Sequence, residues 1–219
     1  MAAGSQEELL LPLFPLPNLV FFPKTRLPLH IFEPRYLQMI SDILSRDSRV
    51  GLVLLKSGWE QDYYGNPPIH SFGTIGQIEQ AAKLEDGRFN LLVHGTTRYR
   101  ILEVISEDPY RTARVSVEPE RAVEPMEAYA QREWLAELSK RYIEFMPGRM
   151  EVPELETVGL DSLTNALIMS LDIDLEEKQR FLEVDSVVAR AEGVGNELQR
   201  RIEDLQFLSK YRRGDPERN

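Results

Sequence analysis

Near Glu118 the spacing of apolar residues changes from that of strands to that of helices, so no all-β or all-α fold accommodates the whole chain. Ahead of that point, Val50-Gly-Leu-Val-Leu-Leu55 is a short apolar run bounded by charges and Gly58, the pattern of a well-buried strand. Residues 88–95, 101–105 and 111–117 read as further strands. In the last of these Ala113, Val115 and Val117 alternate with Arg114 and Ser116, which leaves one face wet. Leu84-Glu-Asp-Gly87 marks a hairpin whose two turn positions take positive φ. The opening segment is apolar but carries Pro12, Pro15 and Pro17, so an edge strand or an extended, non-ladder segment is expected there. Residues 27–31 form a strand that runs into a helix start. Pro34 sits where a missing N–H costs nothing, Glu33 suits the positive helix end, and Tyr36, Leu37, Ile40, Ile43 and Leu44 form an apolar stripe.

Beyond Glu118, Ala130, Trp134, Leu138, Tyr142 and Phe145 recur at helical spacing until Pro147-Gly148. Leu160, Leu163, Leu167 and Leu171 mark a second helix. Asp174 with Glu177 resembles a capping box that opens a third over residues 175–182. Steps of three and four from Val187 through Ala191, Val194, Leu198, Ile202, Leu205 and Leu208 give a long final helix with one apolar seam. Gly193 and Gly195 in that helix mark either a kink or a close approach of another helix. The expected class is α+β: a β-rich barrel or sheet subdomain with one early helix over residues 1–118, then a helical bundle subdomain over residues 119–219.

The 219 residues suffice for one large domain or two small ones sharing a core, and no apolar stretch reaches the length of a membrane span. The N-terminus has no basic region ahead of an apolar one, so a secretory signal is not expected. With no cysteine, disulfides, thiolate nucleophiles and cysteine metal sites are excluded; this fits the cytoplasm, which is the expected location. The formal charge is −10: residues 1–119 carry 12 basic and 14 acidic groups, and the remainder 14 and 22. Such a surface disfavours nucleic acid, whose phosphates gain affinity from clustered Lys and Arg.

Catalytic signatures are missing. There is no phosphate-binding Gly-x-x-x-x-Gly-Lys-Ser/Thr loop and no Gly-x-Ser-x-Gly elbow. His30, His70 and His94 are too scattered for a zinc motif, and the acidic pairs Glu85-Asp86 and Asp172/Asp174 read as turn and cap residues. No catalytic residue, metal or cofactor is expected.

What the chain does carry is Leu11-Pro-Leu-Phe-Pro-Leu-Pro-Asn-Leu-Val-Phe-Phe-Pro23, followed by Leu27-Pro-Leu-His-Ile-Phe-Glu-Pro-Arg-Tyr36. Further on come Gly73-Thr-Ile-Gly76, Asp86-Gly87-Arg88, Gly95 with Arg98-Tyr-Arg-Ile101, and Lys178-Gln179 ahead of Phe181-Leu182-Glu183. Together these motifs, over roughly residues 9–211, resemble the N-terminal, substrate-binding domain of Lon proteases. The resemblance implies a β-rich, PUA-like subdomain with a helical bundle, acting in recognition of unfolded or tagged polypeptide. The ATPase and Ser–Lys peptidase of full Lon proteases lie beyond the matching region. The expectation is thus a stand-alone, non-catalytic module whose partners are polypeptide clients or a partner protein, with no membrane.

The residues expected to do the binding are aromatic, because rings with a polar handle dominate recognition surfaces. Trp59, Tyr63 and Tyr64 lie in a loop of about a dozen residues between strands, which is longer than most connections. Phe21 and Phe22 form a second aromatic pair in a proline-flanked turn. For each set, core packing is the competing reading. Glu33-Pro-Arg-Tyr36 reads more economically as a helix start with an ion pair from Arg35 and Tyr36 packed inward. Arg98 and Arg100 read as a solvated strand face. The rival functions are a PUA-like RNA-binding module, an unrecognised hydrolase, and an adaptor for one fixed partner.

Overall fold

The proline-rich opening segment folds as a barrel strand. In the computed structural model, which describes residues 7–62, 65–145 and 157–213, strand β1 (Glu8–Leu16) has neighbours on both sides. Residues 8–12 pair antiparallel with β6 (Thr112–Glu118), and residues 13–16 pair parallel with β3 (Arg49–Leu55). The expectation of an edge or non-ladder segment is corrected by this pairing. The physical reason lies in the direction of the N–H groups. Leu13 N–H donates to Arg111 O, away from β3. Pro15, two residues on, has its missing N–H on that same side, where β6 does not extend, so the β3 ladder loses nothing.

From β3 the sheet continues through β4 (Ile69–Lys83) to β5 (Phe89–Ser106), and β6 pairs with both β5 and β1. Strands β1, β3, β4, β5 and β6 thereby close into a barrel, which removes their free edges. Strand β2 (Arg26–Ile31) pairs with the first part of β5 and is the edge strand, with Pro28 tolerated there. Residues 88–95 and 101–105, expected as two strands, are one: β5 runs through both, with register shifts against β6 near Ile101–Glu103. The hairpin between β4 and β5 is also of a different kind from the one expected. Leu84 N–H bonds Arg88 O around a three-residue loop, and only Gly87 takes positive φ, at 86°. That is a turn with a glycine bulge rather than one with two left-handed positions.

The barrel interior holds Leu11, Leu13, Ile75, Tyr99, Ala113 and Val115. Tyr99 is fully buried, its Oη 3.4 Å from Leu52 O, and burial pushes its phenol above the ordinary range. Gly73 and Gly51 make room for that ring: a Cβ at either would lie 2.6 or 2.8 Å from Tyr99 Oη. Helix α1 (Pro34–Leu44) starts at Glu33 with Pro34 in its first turn and buries Tyr36, Met39, Ile40 and Ile43.

The second half is helical: α2 (Pro125–Phe145), α3 (Leu160–Ser170), α4 (Leu175–Glu183) and α5 (Val187–Arg213). Pro147 and Gly148 lie outside the described residues. The chain is α+β, and it divides into two compact units. One takes in residues up to Glu120 together with Ile173–Asp185; the other takes in Arg121–Asp172 and the chain from Ser186 onward. Helix α4 therefore belongs with the barrel, which a single division near Glu118 does not provide for. Its Gln179, 2% exposed, donates to Phe72 O at 3.2 Å on β4.

Asp174 caps α4 by accepting from Glu176 N at 2.8 Å. Asp174→Ala is expected to cost about 1 kcal/mol of unfolding free energy in urea titration, and an unchanged midpoint would show the cap to be idle. In the other unit, Leu135, Leu138, Leu163, Leu167, Val194, Leu198 and Ile202 form the apolar interior. Gly195 marks a close approach: a Cβ there would overlap the Trp134 ring of α2.

Candidate functional site

A pocket of about 150 Å³ opens on the barrel unit beside the start of α1. The end of β1 brings Phe14, Pro15 and Pro17 to it, and the β2–α1 junction brings Phe32, Glu33, Arg35 and Tyr36. Phe14 and Tyr36 meet edge to face with ring centroids 4.6 Å apart, and the Arg35 guanidinium lies 4.7 Å from the Tyr36 centroid. Both geometries are favourable between rings, and between a cation and a ring face. Phe32 stays 60% exposed at the rim. It falls where the alternation of β2 calls for a polar residue, since Leu27, Leu29 and Ile31 point inward and Arg26, Pro28 and His30 outward.

Two arginines fix the wall formed by Gly65, Asn66 and Pro67. Arg35 Nη1 donates to Gly65 O at 3.3 Å while its guanidinium pairs with Glu33 at 3.1 Å. Arg111 Nη2 donates to Pro67 O at 2.7 Å. The turn itself is tied by Asp62, whose carboxylate accepts from Asn66 N at 3.2 Å. Burial pushes the Arg111 guanidinium down from its ordinary value. Glu107, Tyr36 and Asp62 pull the other way, and Arg35 adds to the lowering. Tyr110 donates to Asp42 Oδ2 at 2.8 Å, and burial, then that bond, raises its phenol.

Of the aromatic residues singled out in the sequence, Trp59 begins a 3-10 turn (Trp59–Asp62) and is half-buried. Tyr63 and Tyr64 lie outside the described residues. Phe21 and Phe22 are core residues, 2% and 0% exposed, and their carbonyls accept from Thr74 Oγ1 and Thr25 Oγ1. Their rings offer no surface to a partner. Glu33, Arg35 and Tyr36 do form the expected ion pair and inward ring, and those same side chains line the pocket.

Arg98 departs from the solvated strand face expected for it. It is 2% exposed and donates to Leu182 O, Val184 O and Pro119 O, whereas Arg100 is exposed and pairs with Glu118 at 3.2 Å. Phe14, Phe32 and Arg111 are pocket residues that the sequence reading did not single out. For Phe32 the signal was present as an apolar side chain on the wet phase of a strand. Arg111 carried none, because its burial depends on the loop that packs over it.

Among the described residues, no group of three or more His, Asp or Glu side chains could hold a metal ion. No helix there is long and apolar enough to cross a membrane.

A family model for the ATP-dependent protease La (LON) substrate-binding domain matches residues 10–200. Lon protease 2 of Myxococcus xanthus is 32% identical over 207 residues, covering 91% of this chain and 24% of that protein. The Lon protease of Anaeromyxobacter dehalogenans is 31% identical over the same length and shares. This chain thus spans about a quarter of the length of the curated relatives it matches. A crystal structure of a Lon N-terminal domain protein from Xanthomonas campestris superposes with a TM-score of 0.61 at 24% identity, over 85% of this chain and 96% of that one. The N-terminal domain of a Mycobacterium avium complex Lon protease gives 0.58 at 16%, over 87% and 98%. At these identities the solved structures speak for the fold. With most of its length matched by the family model and by relatives above 30% identity, the chain belongs to the Lon protease substrate-binding domain family.

Proposed function

We propose that this chain binds polypeptide without chemical turnover, taking apolar side chains of unfolded or otherwise exposed segments into the pocket beside Phe32. The family supports a substrate-recognition module, and the observation that carries the finer reading is the wall of Phe14, Phe32 and Tyr36. Phe32 in particular stays open to solvent on a frame held by Arg35 and Arg111. An exposed ring on a rigid support offers apolar area at little ordering cost, which is what a binder of diverse sequences needs. Trp59, at the start of the loop that ends in Gly65–Pro67, is a second contributor in this reading.

Fluorescence anisotropy with a reduced and alkylated, permanently unfolded model protein tests it. Phe32→Ala is expected to weaken binding about tenfold, and Trp59→Ala by a smaller factor, with thermal unfolding little changed for Phe32→Ala. Equal affinities for wild type and Phe32→Ala would remove the pocket from the function. No binding by the wild type would remove the function itself.

A further inference from the structure

Resting on the polypeptide-binding reading of the same pocket, we infer that its preferred occupant is the last residue of a chain: an apolar or aromatic side chain together with its own α-carboxylate. Arg111 is the origin of this assignment. It lines the pocket, is 7% exposed, and has its guanidinium only partly used. Nη2 is taken by Pro67 O, and Nε lies 3.8 Å from Glu107, a carboxylate that is itself half exposed. Nη1 is buried and has no hydrogen-bond acceptor among the described residues.

A buried cationic donor without an acceptor is costly, and a carboxylate is the group that satisfies it best. Arg35 does not compete for that role, since Glu33 and Gly65 O already occupy it. Size then restricts where the carboxylate comes from. The pocket holds about 150 Å³, a space that takes roughly one benzene-sized group. Phe14, Phe32, Tyr36 and Arg111 all line this one small space, so a single residue supplies both the apolar group and the anion. Among ordinary peptide residues only a C-terminal Leu, Met, Phe or similar residue carries both. Its binding places the rest of the chain outward, past Phe32.

The test uses the intact protein and a fluorescein-labelled ten-residue peptide ending in Phe, made as the free acid and as the C-terminal amide. A third peptide, amidated, carries Asp beside an internal Phe. The free acid is expected to bind at least about tenfold more tightly than the amide, and the Asp peptide to behave as the amide does. Arg111→Met is expected to abolish the difference between acid and amide. Because Arg111 also holds Pro67, Glu107→Gln provides a variant that leaves that bond in place. Removing the competing carboxylate is expected to strengthen free-acid binding about threefold and leave the amide unchanged.

Equal binding of acid and amide, with both weakened by Phe32→Ala, would overturn the terminal-carboxylate assignment and leave the pocket reading standing. Tight binding of the internal Asp peptide would overturn it as well. Failure of every peptide and of the unfolded protein would bring down the underlying reading instead.

Discussion

Replacing Arg98 with methionine is expected to lower the unfolding free energy by about 3 kcal/mol and to loosen α4 before the barrel. Arg98 stands on β5 with 2% of its surface exposed. Its Nη1 donates to Leu182 O at 3.0 Å and Val184 O at 2.9 Å, and Nη2 donates to Pro119 O at 3.3 Å. Two of those carbonyls close the C-terminal end of α4, where a helix presents unpaired oxygens and partial negative charge. Methionine keeps much of the stem's volume but no donor, so these carbonyls lose the guanidinium. Loss of the donor costs about 1–3 kcal/mol at a buried acceptor such as Leu182 O, and less at Val184 O and Pro119 O, which are only partly buried. Urea unfolding gives the magnitude. Amide exchange gives the location, with protection lost in Leu175–Glu183 ahead of β3 and β4. Lysine at this position is expected to recover part of the loss, because one ammonium cannot reach three separated carbonyls. An unchanged midpoint together with unchanged α4 protection would show that the tether carries no weight.

The second large effect is expected from Gly73→Ala, at about 3 kcal/mol, read as a fall in melting temperature of about 6–12 °C for a chain of this size. Gly73 pairs with Val53 on one side and Tyr99 on the other. A methyl group there would overlap Leu52 O and approach Tyr99 Oη to 2.6 Å. The carbonyl is backbone within the β3–β4 ladder and cannot retreat without breaking it. The Tyr99 ring has no exposure in a filled barrel and nowhere to turn. Adding Tyr99→Phe relieves only the hydroxyl part of the clash, so the double variant is expected to remain below wild type. A Gly73→Ala protein as stable as the wild type would mean that the barrel yields far more easily than its packing indicates.

The pattern of success and failure in the sequence has a local cause. Helix α1 was legible because Glu33, Pro34 and the Tyr36–Leu44 stripe act within a few turns. The Asp174 cap was legible for the same reason, as the bond it makes is two residues long. Pairing partners were not. Nothing within β1 reveals that one half faces β6 and the other β3, and prolines alone pointed to an edge. The burial of Arg98 was not legible because two of its acceptors, both at the end of α4, lie 84 and 86 residues away along the chain. Phe21 and Phe22 read as candidate binders in the sequence, yet both are buried in the core, where Thr74, more than 50 residues away, bonds Phe21 O.

From sequence alone followed the α+β class, the change of period near Glu118, nearly all the helices, and the kinship with Lon substrate-binding domains. Each of these rests on short-range periodicity, on local turn and cap chemistry, or on contiguous motifs. Tertiary structure alone decided which aromatic rings face solvent, which arginine is sealed inside, and that α4 rejoins the barrel unit. Burial is a property of what packs over a residue, and for Phe32, Arg98 and Arg111 that covering, or its absence, comes from segments far away in the chain.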